Sequence, residues 1–321
     1  MLDSFIILTE LGKGIGLGHY TRCIALLKCF NENGQSGKLM TNQVDDTFNY
    51  PFSVNYNWTN NQQFIKFYSP DVKIIIDSYL FDSNVLKIFT DYFNNIVIID
   101  DFNRMSYESV KLLINPNVYF SEINYNNQNS NKLGGIDYVI LRETFRNVSK
   151  YKISNNKKLN ILVTIGGSDY RNIMPLIIET LLINSFHNIV AISPDNTISG
   201  FLDDRLTILK MQNEHEVYEQ MLNCDIAISA CGQTLHELSS IGVPTIGICI
   251  DSDQTLNQQF YFKSKFLPNL INWHDLNLKE KILDGLQILN NIDRRNQVKN
   301  DSPRIINKNG VYNIINIVNE L

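Results

Sequence analysis

Short apolar runs alternate with longer amphipathic stretches along most of this chain, and this alternation restricts the fold more than any other feature. Seven runs are typical of strands buried on both faces of a parallel sheet: 5–9, 72–76, 96–99, 161–165, 189–192, 225–229 and 245–250. Four stretches between them have helical spacing: 84–93, 173–183, 216–223 and 235–241. Strands that alternate with helices predict an α/β fold with doubly wound sheets.

A polar segment divides this pattern into two halves. Residues 146–158 are rich in serine, asparagine and lysine, and a new strand begins directly after them. With 321 residues and 44% hydrophobic composition, the chain is long enough to bury two cores. We therefore predict two Rossmann-like domains, 1–150 and 151–321, that face a central cleft and bind ligands at the carboxyl ends of their strands.

Charge, cysteine content and hydropathy exclude several classes of protein. The formal net charge is -5 and there is no run of Lys and Arg, which argues against a nucleic-acid partner. Asp3 and Glu10 interrupt the first apolar run, so we predict a strand there rather than a signal peptide. No run approaches the length of a membrane span. The five cysteines form no Cys-x-x-Cys pair and are predicted to be free thiols of a cytoplasmic protein.

A glycine-rich loop follows the first predicted strand. Residues 12–22 contain alternating glycines and place His19 where the next helix begins. Glycines let a backbone approach a ligand closely, and the N–H groups of a helix N-terminus favour an anion. The spacing matches neither the Gly-x-Gly-x-x-Gly dinucleotide fingerprint nor a Walker A loop. A histidine in this position indicates chemistry rather than the cradling of a cofactor.

Polar and glycine residues also follow the other predicted strands, at 77–79, 100–102, 166–169, 229–237 and 251–257. The turn before Thr234 leads into a helix whose N-terminus can hold a phosphate, with Thr234 as N-cap or phosphate ligand. Glu237 fits two roles at this spacing. It can form half of a capping box, or it can accept hydrogen bonds from two ribose hydroxyls.

Seven segments in order along nearly the whole chain resemble one known family: 16–22, 77–79, 99–101, 141–145, 166–169, 229–237 and 241–245. They are similar to the PseG-type UDP-sugar hydrolases of pseudaminic acid biosynthesis, and 309–311 resembles the start of that family's last helix. The resemblance implies the GT-B fold that these enzymes share with MurG-type glycosyltransferases. It also implies hydrolysis of a UDP-activated amino or deoxy sugar at the anomeric carbon, with inversion and release of UDP.

The resemblance also implies roles for individual residues. His19 matches the family's active-site histidine, which serves the attacking water, and Tyr79 matches a tyrosine near the reacting sugar, so both are expected to be catalytic. No metal or cofactor is expected. The residues expected to bind the UDP-sugar are Gly16, Gly18, Arg22, Gly167, Ser168, Gln233, Thr234, Glu237, Asp253, Gln254 and Asn257.

Asp253 departs from the family, which often has asparagine there. A carboxylate can accept hydrogen bonds from sugar hydroxyl or N–H groups but cannot donate as an amide does. We therefore expect a sugar preference different from that of relatives with asparagine.

Two other functions stay open. A GT-B glycosyltransferase of surface polysaccharide synthesis would use the same nucleotide-binding half, and the aromatic residues between 52 and 68 fit either an acceptor surface or a core. A noncatalytic nucleotide-sugar binding protein is the third reading, and His19 counts against it.

Several ionisable side chains have structural interpretations. Asp77 is predicted to orient the loop around His19, and Asp100 and Asp101 to cap a loop or to pair with Arg22 or Arg104. His236 fits the core better than the cleft. Three further histidines are predicted to lie on the surface: His187, His215 and His274.

Overall fold

The chain folds into two compact units. The structure, a computed structural model, describes residues 3–11, 17–43, 53–107, 109–126, 130–147, 151–167, 169–193, 198, 200–210 and 213–321. Unit 1 comprises Met1–Arg142 and Asn307–Leu321, and unit 2 comprises Glu143–Ile306. The break after Arg142 precedes the sequence-based boundary after residue 150, and the end of the chain belongs to the first unit.

Unit 1 contains a parallel sheet of seven strands in the order β3-β2-β1-β4-β5-β6-β7. The strands are β1 (Phe5–Leu11), β2 (Gly37–Gln43), β3 (Ser53–Asn55), β4 (Lys73–Asp77), β5 (Asn95–Ile99), β6 (Leu112–Asn115) and β7 (Asn131–Gly134). The helices of this unit are α1 (Gly18–Glu32), α2 (Ser83–Thr90) and α10 (Gly310–Asn319).

Unit 2 contains a parallel sheet of six strands in the order β10-β9-β8-β11-β12-β13. The strands are β8 (Asn160–Thr164), β9 (Asn188–Ile192), β10 (Leu206–Leu209), β11 (Ile226–Ala230), β12 (Thr245–Cys249) and β13 (Ile271–Asn272). The helices are α3 (Glu143–Arg146), α4 (Met174–Asn184), α5 (Glu214–Asn223), α6 (Gln233–Ile241), α7 (Thr255–Lys263), α8 (Leu278–Asn290) and α9 (Ile292–Asp301). The predicted α/β class, the seven predicted strands and the four predicted helices are confirmed.

The continuous apolar runs arise because each sheet is buried on both faces. In β1, Phe5 and Ile7 pack into one core cluster with α1, whereas Ile6 and Leu8 pack into a second cluster with α2. Successive side chains of a strand point to opposite faces of the sheet. When both faces are buried, apolar residues occupy positions on both of them, and the alternation of apolar and polar residues seen in half-exposed strands is absent.

The last helix completes unit 1. Residues Val311, Ile314 and Ile315 of α10 join the core cluster that covers α1. At the start of α10, a Cβ on Gly310 would lie 2.2 Å from the carbonyl oxygen of Val139, so only glycine fits this approach. The predicted helix start at 309–311 is confirmed, and the packing of α10 explains why the end of the chain belongs to unit 1.

The aromatic segment between 53 and 68 is mainly core. Trp58 is fully buried and donates its indole N–H to the carbonyl oxygen of Thr9 at 2.9 Å, and Phe64 is also buried. Phe67 is exposed, and Phe52 lies outside the described residues. Within the described parts of the chain, no helix is long and apolar enough to cross a membrane.

Candidate active site

Ionisable side chains gather at the carboxyl edge of the sheet in unit 1. The ends of parallel strands meet at one edge, so β1, β4 and the loop after β5 each bring a carboxylate there. Helix α1 begins at the same edge and adds a histidine and an arginine from its first two turns. We call these residues, with one tyrosine, the His19 cluster: Glu10, His19, Arg22, Asp77, Tyr79 and Asp101.

His19 is held by two neighbours. Its Nδ1 lies 2.7 Å from Oδ1 of Asp77, which can only accept, so the neutral imidazole carries its proton on Nδ1 and keeps its lone pair on Nε2. Arg22 Nη2 also lies 3.1 Å from Nδ1, but it donates to the same Asp77 oxygen at 2.6 Å. The Tyr79 ring meets the imidazole edge to face, with 4.4 Å between ring centroids. Asp77 thus contacts His19 directly as well as ending β4.

Arg22 lies between two buried carboxylates. Its Nε and Nη2 donate to Asp77 at 2.6 Å each, and its Nη1 and Nη2 donate to Asp101 at 3.0 Å each. Asp101 also accepts a hydrogen bond of 2.6 Å from the Tyr79 hydroxyl and one of 2.5 Å from the Asn117 amide. The guanidinium fork of Arg22 is thus occupied by two aspartates, and its substrate-binding role stays a prediction.

These contacts shift the ionisation of the cluster. Burial lowers the pKa of His19, but the charge and hydrogen bond of Asp77 and the charge of Asp101 together raise it, so the net pKa lies above the ordinary imidazole value. Burial raises the pKa of Asp77 and of Asp101, but Arg22 outweighs it and both pKa values fall below the ordinary range. Burial and the Asp101 charge raise the pKa of Tyr79 far above normal, so its hydroxyl stays protonated.

The loop after β5 supports Tyr79. Asp100 accepts hydrogen bonds from the backbone N–H groups of Phe102, Asn103 and Arg104, as its predicted capping role requires. Arg104 donates to the carbonyl oxygens of Ser78 and Tyr79. Its guanidinium lies 4.8 Å from the centre of the Tyr79 ring.

Glu10 is the member of the cluster that sequence reasoning missed. It is 1% exposed, and its carboxylate accepts hydrogen bonds from the backbone N–H groups of Tyr79 and Leu80 and from the Ser78 hydroxyl. In the sequence, Glu10 stands out only as a charge that interrupts an apolar run. An acidic residue inside a buried strand was the available signal, because such a group needs several donors.

Unit 2 has a second polar edge where β8, β11 and β12 end. Gly166 adopts φ 86°, a left-handed conformation that favours glycine, and Gly167 follows it at the turn. Asp169 then caps the start of α4 by accepting from the N–H groups of Ile173 and Met174. Two expected binding residues, Gly16 and Ser168, lie outside the described residues.

Helix α6 begins at Gln233, and its N-cap is Gly232, which has no side chain to cap the helix. The prediction of Thr234 as N-cap is therefore wrong, and the capping box with Glu237 is not formed. Thr234 is partly exposed in the first turn, whereas Glu237 is 1% exposed. The first turn of a helix favours an anion through its backbone N–H groups.

Residues after β12 contact the turn that precedes α6. Gln254 Oε1 accepts from the N–H groups of Cys231 at 3.1 Å and Ile250 at 3.3 Å. Asn257 donates to the carbonyl oxygen of Cys231 at 3.4 Å, and its own Oδ1 is buried with no partner among the described residues. Asp253 is exposed in the short 3-10 helix Ser252–Gln254. The structure thus brings Gln254 and Asn257 to the α6 turn.

Gly18 and the histidines outside the His19 cluster lie either on the surface or in the core. Gly18 is exposed, and a Cβ there would meet no described atom within 4 Å. His236 is buried against the Tyr261 hydroxyl, 2.8 Å away, so it belongs to the core. The surface prediction for His187 is wrong, because this residue is buried and accepts from the N–H of Leu159 at 3.2 Å. The surface predictions for the other two are confirmed: His215 and His274.

All five cysteines are buried free thiols, as predicted. No group of three or more His, Cys, Asp or Glu side chains that could hold a metal ion occurs among the residues that the structure describes.

Sequence comparison gives one relative. No family model matches the chain. An uncharacterised protein of Methanocaldococcus jannaschii is 26% identical over 270 residues, which cover 75% of this chain and 54% of that protein. The chain therefore spans about half the length of this curated relative.

Solved structures show a closer likeness in fold than in sequence. MurG of Acinetobacter baumannii superposes with a TM-score of 0.66 at 11% identity, over 99% of this chain and 100% of that one. The calicheamicin glycosyltransferase gives 0.62 at 11% identity, over 100% and 98%. The UDP-GlcNAc 2-epimerase of Methanocaldococcus jannaschii gives 0.59 at 11% identity, over 99% and 100%. With its two parallel-sheet α/β units, the chain has the GT-B fold of these glycosyltransferases.

Proposed function

We propose that this chain is a nucleotide-sugar-dependent enzyme that hydrolyses a UDP-sugar at its anomeric carbon. The hydrogen bond between His19 Nδ1 and Asp77 carries the proposal, because it leaves Nε2 as a proton acceptor. The His19 side chain is 11% exposed, so it is mostly desolvated yet open to a small reactant such as water. An imidazole of this kind is suited to general base catalysis.

The proposed reaction uses each neighbour of His19. A water oxygen bonds to the anomeric carbon as the bond from that carbon to the diphosphate oxygen breaks, and UDP leaves with the electron pair. Nε2 takes the water proton, and Asp77 stabilises the imidazolium that results. Direct displacement by water inverts the anomeric configuration. Tyr79 orients the imidazole ring, since its hydroxyl proton is held by Asp101.

We assign UDP to unit 2. The first turn of α6 offers backbone N–H groups and the Thr234 hydroxyl for the diphosphate, in keeping with the family resemblance. The buried Oδ1 of Asn257 and the exposed carboxylate of Asp253 are acceptors for sugar hydroxyl or N–H groups. Support also comes from the structural neighbours, which are named as glycosyltransferases and as an epimerase solved with UDP-GlcNAc and UDP.

Incubation with a panel of UDP-sugars in ¹⁸O-labelled water tests this function. The panel includes the diacetamido-trideoxy sugar that the resemblance implies. We expect UDP release without any acceptor, with the label in the free sugar and none in UDP, because water attacks carbon rather than phosphorus. Release that requires an added acceptor would identify a glycosyltransferase instead. Binding without turnover of any substrate would contradict both enzymatic functions.

Replacing Glu237 by alanine tests the assignment of UDP to unit 2. The variant lacks the carboxylate that accepts hydrogen bonds from two ribose hydroxyls, so UDP binding should weaken by about 1–3 kcal/mol. Calorimetric titration with UDP measures the change, and Glu280→Ala, at an exposed position in α8, is the matched control. Equal UDP affinity in the folded Glu237→Ala variant and in the wild type would remove Glu237 from the nucleotide site.

A further inference from the structure

Glu10 lies where β1 meets the segment that follows β4. Its two carboxylate oxygens accept from the N–H of Tyr79 at 3.0 and 2.9 Å, and one of them accepts from the N–H of Leu80 at 3.1 Å. The Ser78 hydroxyl donates to the same oxygen. Three consecutive residues are therefore held by one side chain, and the middle one is the tyrosine that packs on His19.

The same carboxylate faces the reactive edge of His19. Oε1 of Glu10 lies 3.9 Å from Nε2, whereas Asp77 contacts Nδ1 on the other edge of the ring. The imidazole is thus flanked by two carboxylates. The other charged or titratable groups that the described structure places around it are Arg22 from α1, Tyr79 after β4 and Asp101 after β5.

We propose that Glu10 is a positioning residue for His19, which sets Tyr79 against the imidazole and stabilises the imidazolium formed when Nε2 accepts a proton. This inference rests on the proposed function and assigns the second carboxylate of the reaction. A negative charge beside Nε2 matters most in the transition state, when the ring gains its positive charge. Asp77 fixes which nitrogen accepts the proton, and Glu10 acts at the nitrogen that receives it.

Two substitutions separate charge from hydrogen bonding. Glu10→Gln keeps the length and one acceptor oxygen but removes the charge, and Glu10→Asp keeps the charge but withdraws it from Nε2. The matched control is Glu122→Gln, which removes a charge at an exposed position of unit 1. NMR titration of histidine-labelled protein without substrate reads the pKa of His19 directly. The resonances of the exposed His215 and the circular dichroism spectrum verify folding.

We expect the pKa of His19 to fall in the order wild type, Glu10→Asp, Glu10→Gln, and to stay at its wild-type value in Glu122→Gln. We also expect kcat for UDP release to fall about tenfold in Glu10→Gln with little change in KM, as for an interaction made in the transition state.

An unchanged His19 titration in folded Glu10→Gln would overturn the proposal, even if activity fell. If that variant does not fold, Glu10→Asp decides alone, since a lowered His19 pKa supports the proposal and an unchanged one contradicts it. The titration needs no substrate, so a failure of the proposed hydrolase function would appear separately, as a lack of acceptor-independent UDP release from every UDP-sugar of the panel.

Discussion

Replacing His19 by glutamine should lower kcat for UDP release by about a hundredfold to ten-thousandfold, with folding and UDP affinity nearly unchanged. Glutamine can fill much of the same space but cannot accept the proton from water. The effect falls on turnover because the imidazole acts in the transition state and UDP is assigned to the other unit. His215→Gln, which changes an exposed histidine, should retain wild-type turnover.

The pH dependence of the wild type provides a second signature of the same residue. His19 must be neutral to accept a proton, and its pKa lies above the ordinary imidazole value, because Asp77 and Asp101 together outweigh burial. The rate should therefore rise with pH through that raised pKa, and residual activity of His19→Gln should lack this rise. Turnover within a few-fold of wild type in the variant would remove His19 from the mechanism.

Replacing Arg22 by methionine should lower the free energy of unfolding of unit 1 by about 3–5 kcal/mol near pH 7. The guanidinium is 7% exposed and makes four hydrogen bonds to Asp77 and Asp101. Without it, two carboxylates remain buried close together with no arginine between them. Burial then disfavours the charged form of both groups.

The same substitution should reverse the response of stability to acid. In the wild type, the folded pKa values of Asp77 and Asp101 lie below their unfolded values, so their contribution is present above the unfolded pKa and is lost as pH falls. In Arg22→Met, burial raises the folded pKa values above the unfolded ones. Lowering the pH from about 7 to about 5 should therefore restore part of the lost stability.

Unfolding in urea, followed by tryptophan fluorescence, measures both effects. The chain has two tryptophans, and a Trp273→Phe background leaves Trp58 as a probe inside unit 1. Lys87→Met is the control, because Lys87 of α2 forms an exposed ion pair with Asp91, the residue after that helix. Such pairs contribute at most about 1 kcal/mol to stability. A loss in Arg22→Met no larger than in this control would contradict the buried-pair interpretation.

The sequence predicted seven strands that bury apolar runs, but it missed the interior strands β2 and β6 as well as short strands at the sheet edges. Strands such as β1 and β11 carry their own signal, because both of their faces must be apolar. The edge strand β3 has only three residues, two of them exposed, and β13 has two. Such segments become strands through pairing with a neighbour, and no local pattern records that partner.

In the candidate site too, the sequence predicts the side chains that a local pattern marks and misses those whose contacts come from elsewhere in the chain. His19 was predictable because a glycine loop and a helix start mark it, and Asp77 because it ends a strand. The burial of His187 depends on a contact with Leu159, far away along the chain, which the polar surroundings of this histidine do not reveal. Glu10 was missed for a similar reason, since all of its donors come from another strand end.

The return of α10 to unit 1 has a consequence for biosynthesis. Among the described residues, α10 covers part of the apolar surface of helix α1 with residues such as Val311 and Ile314. During translation, these residues leave the ribosome after the whole of unit 2 has been made. The first unit must therefore wait with part of its core open to solvent, so chaperone binding to the nascent chain should concentrate on α1 until the last helix emerges.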